Sequence, residues 1–293
     1  MNNLGFDLGS SAIRIVNNGK FQESIEFESL TIEDRRKSII GKGKIGVMGQ
    51  FQQFINPIIR KYYKRRLLVF GPQFDILCSV TAGDNQVQYK GIRDCFMFQG
   101  ASLIYLMYDC YLNSIGLGID YQKSKGHMII DFGAGKTSLN TIFEGKVIAH
   151  DNLEVSGHSI EESIFQKVLI ESGVDLSIPK IKEIISTNSQ TIDFGNGKTI
   201  SSELINETIQ IELDLLLKKI DMHFYDLDTT LQDEIKRNGI FVCGGTKGQN
   251  NFLELLKEKY PLNPKSYLKE NWIVKGIEKV QKDFPKYYLD LIR

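Results

Sequence analysis

A chain of 293 residues, 42% of them hydrophobic, carries enough apolar material for two separate cores. Its 36 Lys and Arg balance its 36 Asp and Glu, which excludes a nucleic-acid partner drawn in by bulk charge. No apolar run approaches the length that spans a bilayer.

The first element, GFDLGSSAIRIV, reads as a strand ending at Asp7, a turn at Gly9 to Ser11 and a strand Ala12 to Val16. A strand Lys20 to Glu28 follows, then a polar, basic stretch from Ser29 to Gly49 that reads as a loop with one helical turn. Within it, Gly41-Lys42-Gly43-Lys44-Ile45-Gly46 has the letters of a dinucleotide fingerprint. No hydrophobic strand leads into it and no acidic residue follows at the required spacing, so it is assigned as a flexible loop. The helix Gln50 to Arg65 ends in a basic run, Arg60 to Arg66, whose cations suit a helix C-terminus better than they argue for nucleic acid. Strand Phe74 to Val80, helix Gln86 to Gly100, strand Leu103 to Met107 and helix Asp109 to Leu117 complete parallel crossovers.

The plan of the first hairpin then returns. Apolar Met128 to Ile130 leads to Asp131, a turn of Gly133, Ala134, Gly135 and Lys136, an alternating segment Thr137 to Phe143, and a return strand Lys146 to Leu153. Gly135-Lys136-Thr137 imitates the end of a Walker motif, but its first glycine would fall at Ile130 and a strand pattern follows where a helix is needed. Further on, TIDFGNGKTI reads as a hairpin, Ser202 to His223 as a long helix of near-helical apolar period, and Gly239 to Cys243 as a strand. That strand runs into Gly244-Gly245-Thr246 and a helix Gln249 to Tyr260.

The two acidic turns carry the chemistry. Clustered backbone N–H groups at such tips form anion nests, and the hydroxyls of Ser10, Ser11 and Thr137 add donors. Asp7 and Asp131 would repel phosphate, so their expected role is to hold the water shell of a magnesium ion, which favours carboxylates and retains waters. The paired Gly244 and Gly245 would let backbone approach a flat ring or sugar closely. Read blandly, Asp7 and Asp131 are turn formers and Asp109 is a helix N-cap. Cys78, Cys95, Cys110 and Cys243 lack C-x-x-C spacing and read as reduced thiols, and His127, His150, His158 and His223 give no zinc spacing.

In this order the motifs resemble the phosphate-1, phosphate-2 and adenosine motifs of the actin, sugar kinase and heat-shock chaperone superfamily, and over nearly the whole chain the bacterial MreB family. The resemblance implies an α/β, two-lobed actin-like ATPase fold of duplicated ribonuclease H-like lobes. Lobe I would comprise 1–118 and 271–293, with its small subdomain IB reduced to about 29–49. Lobe II would comprise 119–270, with its own small subdomain near 158–223. Gly118 and Gly157 would be hinges, with nucleotide in the cleft between lobes. The implied ligands are ATP or GTP and Mg2+. Asp7 and Asp131 serve the metal; Gly9, Ser10, Ser11, Arg14, Gly133, Ala134, Gly135, Lys136, Thr137, Gly157, Lys182, Gly244, Gly245 and Thr246 serve the nucleotide; Asp109 and Thr137 are the catalytic candidates.

Departures from the family pattern carry expectations of their own. Asp109 stands where the family has a Glu or Gln that orients the attacking water, one methylene shorter, so hydrolysis is expected to be slow. Lys136 replaces a small hydroxyl residue, Arg14 falls where actin has a phosphate-contacting Lys, and His158 replaces an acidic residue. The resemblance implies a weak ATPase coupled to self-assembly into cytoskeletal filaments for cell shape or internal organisation. It implies cytoplasmic location, at the inner face of the membrane where a membrane or cell-envelope partner is engaged, and no nucleic acid. A first strand beginning at Leu4 is expected to leave no room for a signal peptide. The alternatives are a non-polymerising nucleotide-binding interaction protein and a small-molecule kinase of the same superfamily.

Overall fold

The computed structural model describes residues 2–27, 29, 31–36, 38–42, 44–63, 74–186, 191–193, 199–245, 249–259, 265–266 and 270–292. They form two compact units: unit 1 is Met1–Phe27, Ser38–Ser124 and Asn271–Arg293, and unit 2 is Glu28–Lys37 and Lys125–Glu270. The expected Gly-Asn-Gly turn and the end of the basic run at residues 64–66 lie outside the described residues.

Unit 1 is built on a five-stranded sheet of β1 (Asn2–Leu8), β2 (Ala12–Asn17), β3 (Lys20–Glu26), β4 (Phe74–Val80) and β5 (Leu103–Tyr108), in the order β3-β2-β1-β4-β5. The first three strands are antiparallel neighbours, and β4 and β5 join in parallel. β4 is buried along its whole length, as a parallel strand covered on both faces should be, which is why its sequence is a near-continuous apolar run. One face of the sheet packs Phe6, Ile13, Ile15 and Ile76 against Phe51 and Ile55 of the helix Met48–Tyr62 and Tyr89, Ile92 and Phe96 of the helix Gln86–Phe98. Against the other face lies the helix Trp272–Lys282, paired with the helix Asp109–Leu117. Charged β3 guards one edge. At the other, Ile292 near the C-terminus bridges to Leu106 of β5 and occupies edge groups.

Unit 2 repeats the topology. Its sheet comprises β6 (His127–Phe132), β7 (Thr137–Phe143), β8 (Lys146–Leu153), β9 (Ile240–Cys243) and β10 (Lys265–Ser266), in the order β8-β7-β6-β9-β10. Met128, Ile130, Phe132 and Leu139 form a core with Ile160, Ile164 and Val168 of the helix Gly157–Ser172 and Leu213, Leu216 and Ile220 of the helix Ser202–Tyr225. The hydrophobic periodicity of the long helix thus marks a true core face. Among the described residues, no helix is long and apolar enough to cross a membrane.

The stretch read as a loop from Ser29 to Gly49 holds more structure than its polar composition suggests. A five-residue helix, Ile32–Arg36, opens with Thr31, whose backbone N–H and hydroxyl both donate to Asp34 while Asp34 N–H donates back to the Thr31 hydroxyl. This piece groups with unit 2. The flexible-loop reading of 41–46 is corrected: Ile40 pairs with Ile45 and Gly41 with Lys44 in a two-residue ladder, because Ile40 and Ile45 are both buried. No helix opens inside it, so the dinucleotide reading stays excluded. The Walker reading fails likewise, since Thr137 begins strand β7.

His127 at the start of β6 gives unit 2 a pH dependence. Burial pushes its imidazole down from 6.5 to about 4. Above pH 6.5 both folded and unfolded chains hold it neutral; as pH falls toward 4 the unfolded chain takes a proton that the folded one refuses, so stability is lost across that window. The loss from this group is about 3 kcal/mol at full extent. Denaturant midpoints of the wild type are expected to fall between pH 7 and pH 4.5, and His127→Leu to flatten part of that fall. Equal pH slopes for both proteins would contradict the assignment.

Candidate nucleotide-binding site

The two acidic turns are the same object built twice. In the first, Leu8 pairs with Ile13 and Asp7 with Arg14; in the second, Phe132 pairs with Thr137 and Asp131 with Ser138. Each glycine two residues past the aspartate closes the turn by donating its N–H to the carbonyl three residues on: Gly9 to Ala12 at 3.1 Å, Gly133 to Lys136 at 3.0 Å. A Cβ on Gly9 would lie 2.9 Å from the Ala12 oxygen, and one on Gly133 2.8 Å from the Lys136 oxygen. The closing bond and the glycine therefore require each other, and Ser10-Ser11 and Ala134-Gly135 are left as the tips.

In unit 1 the Asp7 carboxylate is 4% exposed and fully engaged. Arg14 Nη1 donates to its Oδ2 at 2.9 Å, Asn271 Nδ2 to the same oxygen at 3.1 Å, and Ser79 Oγ to Oδ1 at 3.4 Å. Arg14, expected to meet phosphate, is placed by the antiparallel register directly across from Asp7 and pairs with it. Asn271 has a second task, because its Oδ1 accepts the Val274 N–H and caps the helix Trp272–Lys282. Ser79 and Asn271 escaped the sequence reading. The Asn before a periodic apolar run is a legible cap signal, but nothing local ties it to a residue 264 positions earlier.

Asp109 opens the helix Asp109–Leu117 and is 7% exposed. Its Oδ1 accepts the Cys110 N–H at 2.8 Å and its Oδ2 accepts from Thr81 Oγ1 at 3.0 Å. Gly118 ends that helix at φ 80, in the left-handed region that suits a C-cap.

In unit 2 the predicted residues gather around the second turn. The carbonyl of Gly133 accepts the Gly157 N–H at 3.1 Å, and that of Ala134 accepts the His158 N–H at 2.7 Å. The start of the helix Gly157–Ser172, capped by reciprocal Ser156 and Ser159 bonds, is thus pinned to the tip. Gly244 follows β9 at φ 108, and a Cβ there would sit 2.2 Å from the Phe132 carbonyl oxygen. Only glycine lets the end of β9 lie against the root of the acidic turn, with Cys243 in register with Asp131. Gly245 beside it has open space around its Cα; Thr246 lies outside the described residues. Thr137 begins β7 with its side chain fully buried, and its hydroxyl donates to the Val155 carbonyl at 2.6 Å. Lys182 is exposed on the helix Ile178–Ser186 and acts electrostatically on His158.

The donor set tests how a magnesium ion could be held. A carboxylate already carrying a guanidinium at 2.9 Å does not fit direct ligation, where two cations would crowd one oxygen, and fits an ion reached through its waters. Among the described residues, no group of three His, Cys, Asp or Glu side chains is arranged to hold a metal by itself. The chemistry fits an ion carried by its ligand.

Residues 32–287 match the family model described as MreB/Mbl protein. The cell shape-determining protein MreB of Escherichia coli strain K12 is 21% identical over 236 residues, covering 74% of this chain and 67% of that protein. The cell shape-determining protein Mbl of Bacillus subtilis strain 168 is 22% identical over 237 residues, covering 74% and 70%. Among solved structures, MreB5 of Spiroplasma citri bound to ADP superposes with a TM-score of 0.80 at 17% identity, covering 99% of this chain and 98% of that one. The MamK double helical filament gives a TM-score of 0.72 at 12% identity, covering 95% and 98%. These likenesses establish the actin-like fold, and with the family match covering most of its length, the chain belongs to the MreB/Mbl family of bacterial actin-like proteins.

Proposed function

We propose that this protein binds ATP or GTP with Mg2+ and self-assembles into cytoskeletal filaments that serve cell shape or internal organisation. The observation that carries the reading is the duplicated turn, an aspartate followed two residues later by a glycine whose N–H closes the tip. Structures of MreB5 with ADP and with AMPPNP, and a MamK double helical filament, support it by kinship.

Each residue set then has a task. The tips at Ser10-Ser11 and Ala134-Gly135-Lys136 offer backbone and side-chain donors to phosphate. Asp7 and Asp131 orient the water shell of an ion that, when bound, neutralises phosphate charge. Arg14 holds Asp7 in place, a positioning part rather than the phosphate contact expected from the sequence. Gly157, Gly244 and Gly245 give backbone access for the sugar and base, with Lys182 at the rim. Asp109, held by Thr81 and its own helix, would reach substrate only through a water chain, so turnover is slow. That same engagement of Asp109 favours, as the second reading, a nucleotide-binding interaction protein that does not hydrolyse. Head-to-tail contacts that do not close make open filaments, and a cytoplasmic polymer at the inner membrane face is the setting we assign.

Sedimentation and electron microscopy of the purified chain with ATP, ADP and no nucleotide test assembly. Filaments that depend on nucleotide are expected. A chain that binds ATP yet stays monomeric at high concentration would favour the second reading, and phosphate transfer to a metabolite would favour a small-molecule kinase.

A further inference from the structure

The helix Trp272–Lys282 and the residues after it grip the segment by which the chain leaves unit 1. That segment starts at the end of the helix Asp109–Leu117, turns at Gly118 and passes at Ser124 into unit 2, where it runs straight into β6 and Asp131. Lys279 Nζ donates to the carbonyls of Ile115 and Gly116, both at 2.9 Å, a cation on the last carbonyls of a helix. Further on, Asp290 Oδ2 accepts two bonds, from Tyr121 Oη at 2.5 Å and from Gln122 Nε2 at 2.8 Å. One carboxylate oxygen thus holds two successive residues of the crossover.

Asp290 is itself fastened. Ile292, two residues on, exchanges backbone bonds with Leu106 of β5, its N–H donating at 2.8 Å and its carbonyl accepting at 3.4 Å. Leu291 between them is buried. The rings of Phe284 and Tyr288 meet Tyr105 of β5 edge-on, with centroids 4.8 and 6.4 Å away. On the other side of the bond, Tyr121 is 2% exposed and stacks on Tyr111 at 4.8 Å. Burial first and the Asp290 bond second push its phenol above the ordinary value, which keeps it a donor. Hydrogen bonds to a carboxylate are among the strong ones. Residues 119–124 belong to no helix or strand, so such side-chain bonds weigh heavily in their resistance to local opening.

The same helix reaches the first acidic turn. Asn271 at its start donates to Asp7 Oδ2 at 3.1 Å, and Lys279 lies about 12 Å further along at the rise of an α-helix. A contiguous rigid element therefore joins Asp7 to the crossover, which is the physical route that coupling between them requires.

We propose that residues 283–292 form a strap, closed by Asp290 on Tyr121 and Gln122, that sets the mobility of the crossover out of unit 1 and couples it to nucleotide bound at the first acidic turn. The coupling rests on the nucleotide reading above; the strap itself does not. Nucleotide that fixes Asp7 and the start of the helix favours the closed strap, and by reciprocity an open strap weakens nucleotide binding.

Amide hydrogen exchange of residues 117–124 in the full chain, free of nucleotide, is the first readout. Asp290→Ala and Tyr121→Phe are each expected to speed exchange there by about tenfold or more. Leu289→Ser, at a 91% exposed position of the same turn, should leave it unchanged. Tyr121→Phe keeps the ring and its stack, so it decides the matter if Asp290→Ala fails to fold. The second readout is calorimetric titration of Mg2+-ATP, with exchange repeated at saturation. Both variants are expected to bind ATP severalfold more weakly, and ATP to slow exchange of 117–124 in the wild type by a comparable factor. Equal exchange in the wild type and both variants overturns the strap. Faster exchange with unchanged ATP affinity in both variants overturns the coupling. A wild type that takes up no nucleotide, while the variants still exchange faster, defeats the nucleotide reading and the coupling with it and leaves the strap standing.

Discussion

Gly276→Ala is expected to lower the thermal unfolding midpoint by roughly 4–8 °C. The helices Asp109–Leu117 and Trp272–Lys282 meet backbone to backbone. A Cβ on Gly276 would lie 2.1 Å from the Leu112 carbonyl oxygen, and reciprocally one on Gly116 would lie 2.2 Å from that of Trp272. Neither obstacle is a side chain that can rotate away, so one helix must shift and open the packing on the sheet beneath. Overpacking of this kind costs about 3 kcal/mol, whereas alanine in a helix interior recovers only about 1 kcal/mol over glycine. The clash wins by about 2 kcal/mol, the difference of those two terms. Gly49→Ala is the control: Gly49 lies in the helix Met48–Tyr62 with nothing within 4 Å of a built Cβ, and its replacement should be neutral or slightly stabilising. Equal midpoints for the two variants would contradict the close packing.

The second large effect is on binding. Gly9→Ala and Gly133→Ala each put a methyl carbon 2.9 or 2.8 Å from the oxygen that closes the turn, so the closing bond must stretch and the tip must splay. Since the tip amides are the proposed phosphate donors, each variant should bind ATP about 100-fold more weakly, roughly 2.7 kcal/mol. Stability should change far less, because the strands that flank each turn keep their ladders. Gly41→Ala, with open space around it, should bind as the wild type does. Nucleotide affinity unchanged by both turn variants, measured by calorimetric titration, would remove the tips from the site.

What could be read in advance was whatever the chain encodes locally. Asp-x-Gly followed by an alternating strand marks a hairpin tip because glycine is forced where a Cβ would meet a carbonyl, and that constraint lies within six residues. The strands β4, β7 and β8 and the helix Asp109–Leu117 have the bounds that their apolar patterns and turn residues predict. What escaped depends on contacts between distant segments. Asn271 and Ser79 reach Asp7 across 264 and 72 positions, and Arg35 reaches Glu161 across 126. The partner of the Thr137 hydroxyl, the Val155 carbonyl 18 residues on, is likewise not legible from residue type alone. Likewise 41–46 looked unstructured, since buried Ile40 before it and buried Ile45 within it outweigh its polarity only once a core exists to receive them.

Direct titration of Mg2+-ATP into the wild type, Asp7→Asn and Asp131→Asn bears most directly on the proposal that Asp7 and Asp131 each serve nucleotide binding. One ATP per wild-type chain, with affinity reduced at least about tenfold in each variant, is the predicted result. A wild-type chain that takes up no nucleotide, or either variant binding as tightly as the wild type, would contradict it.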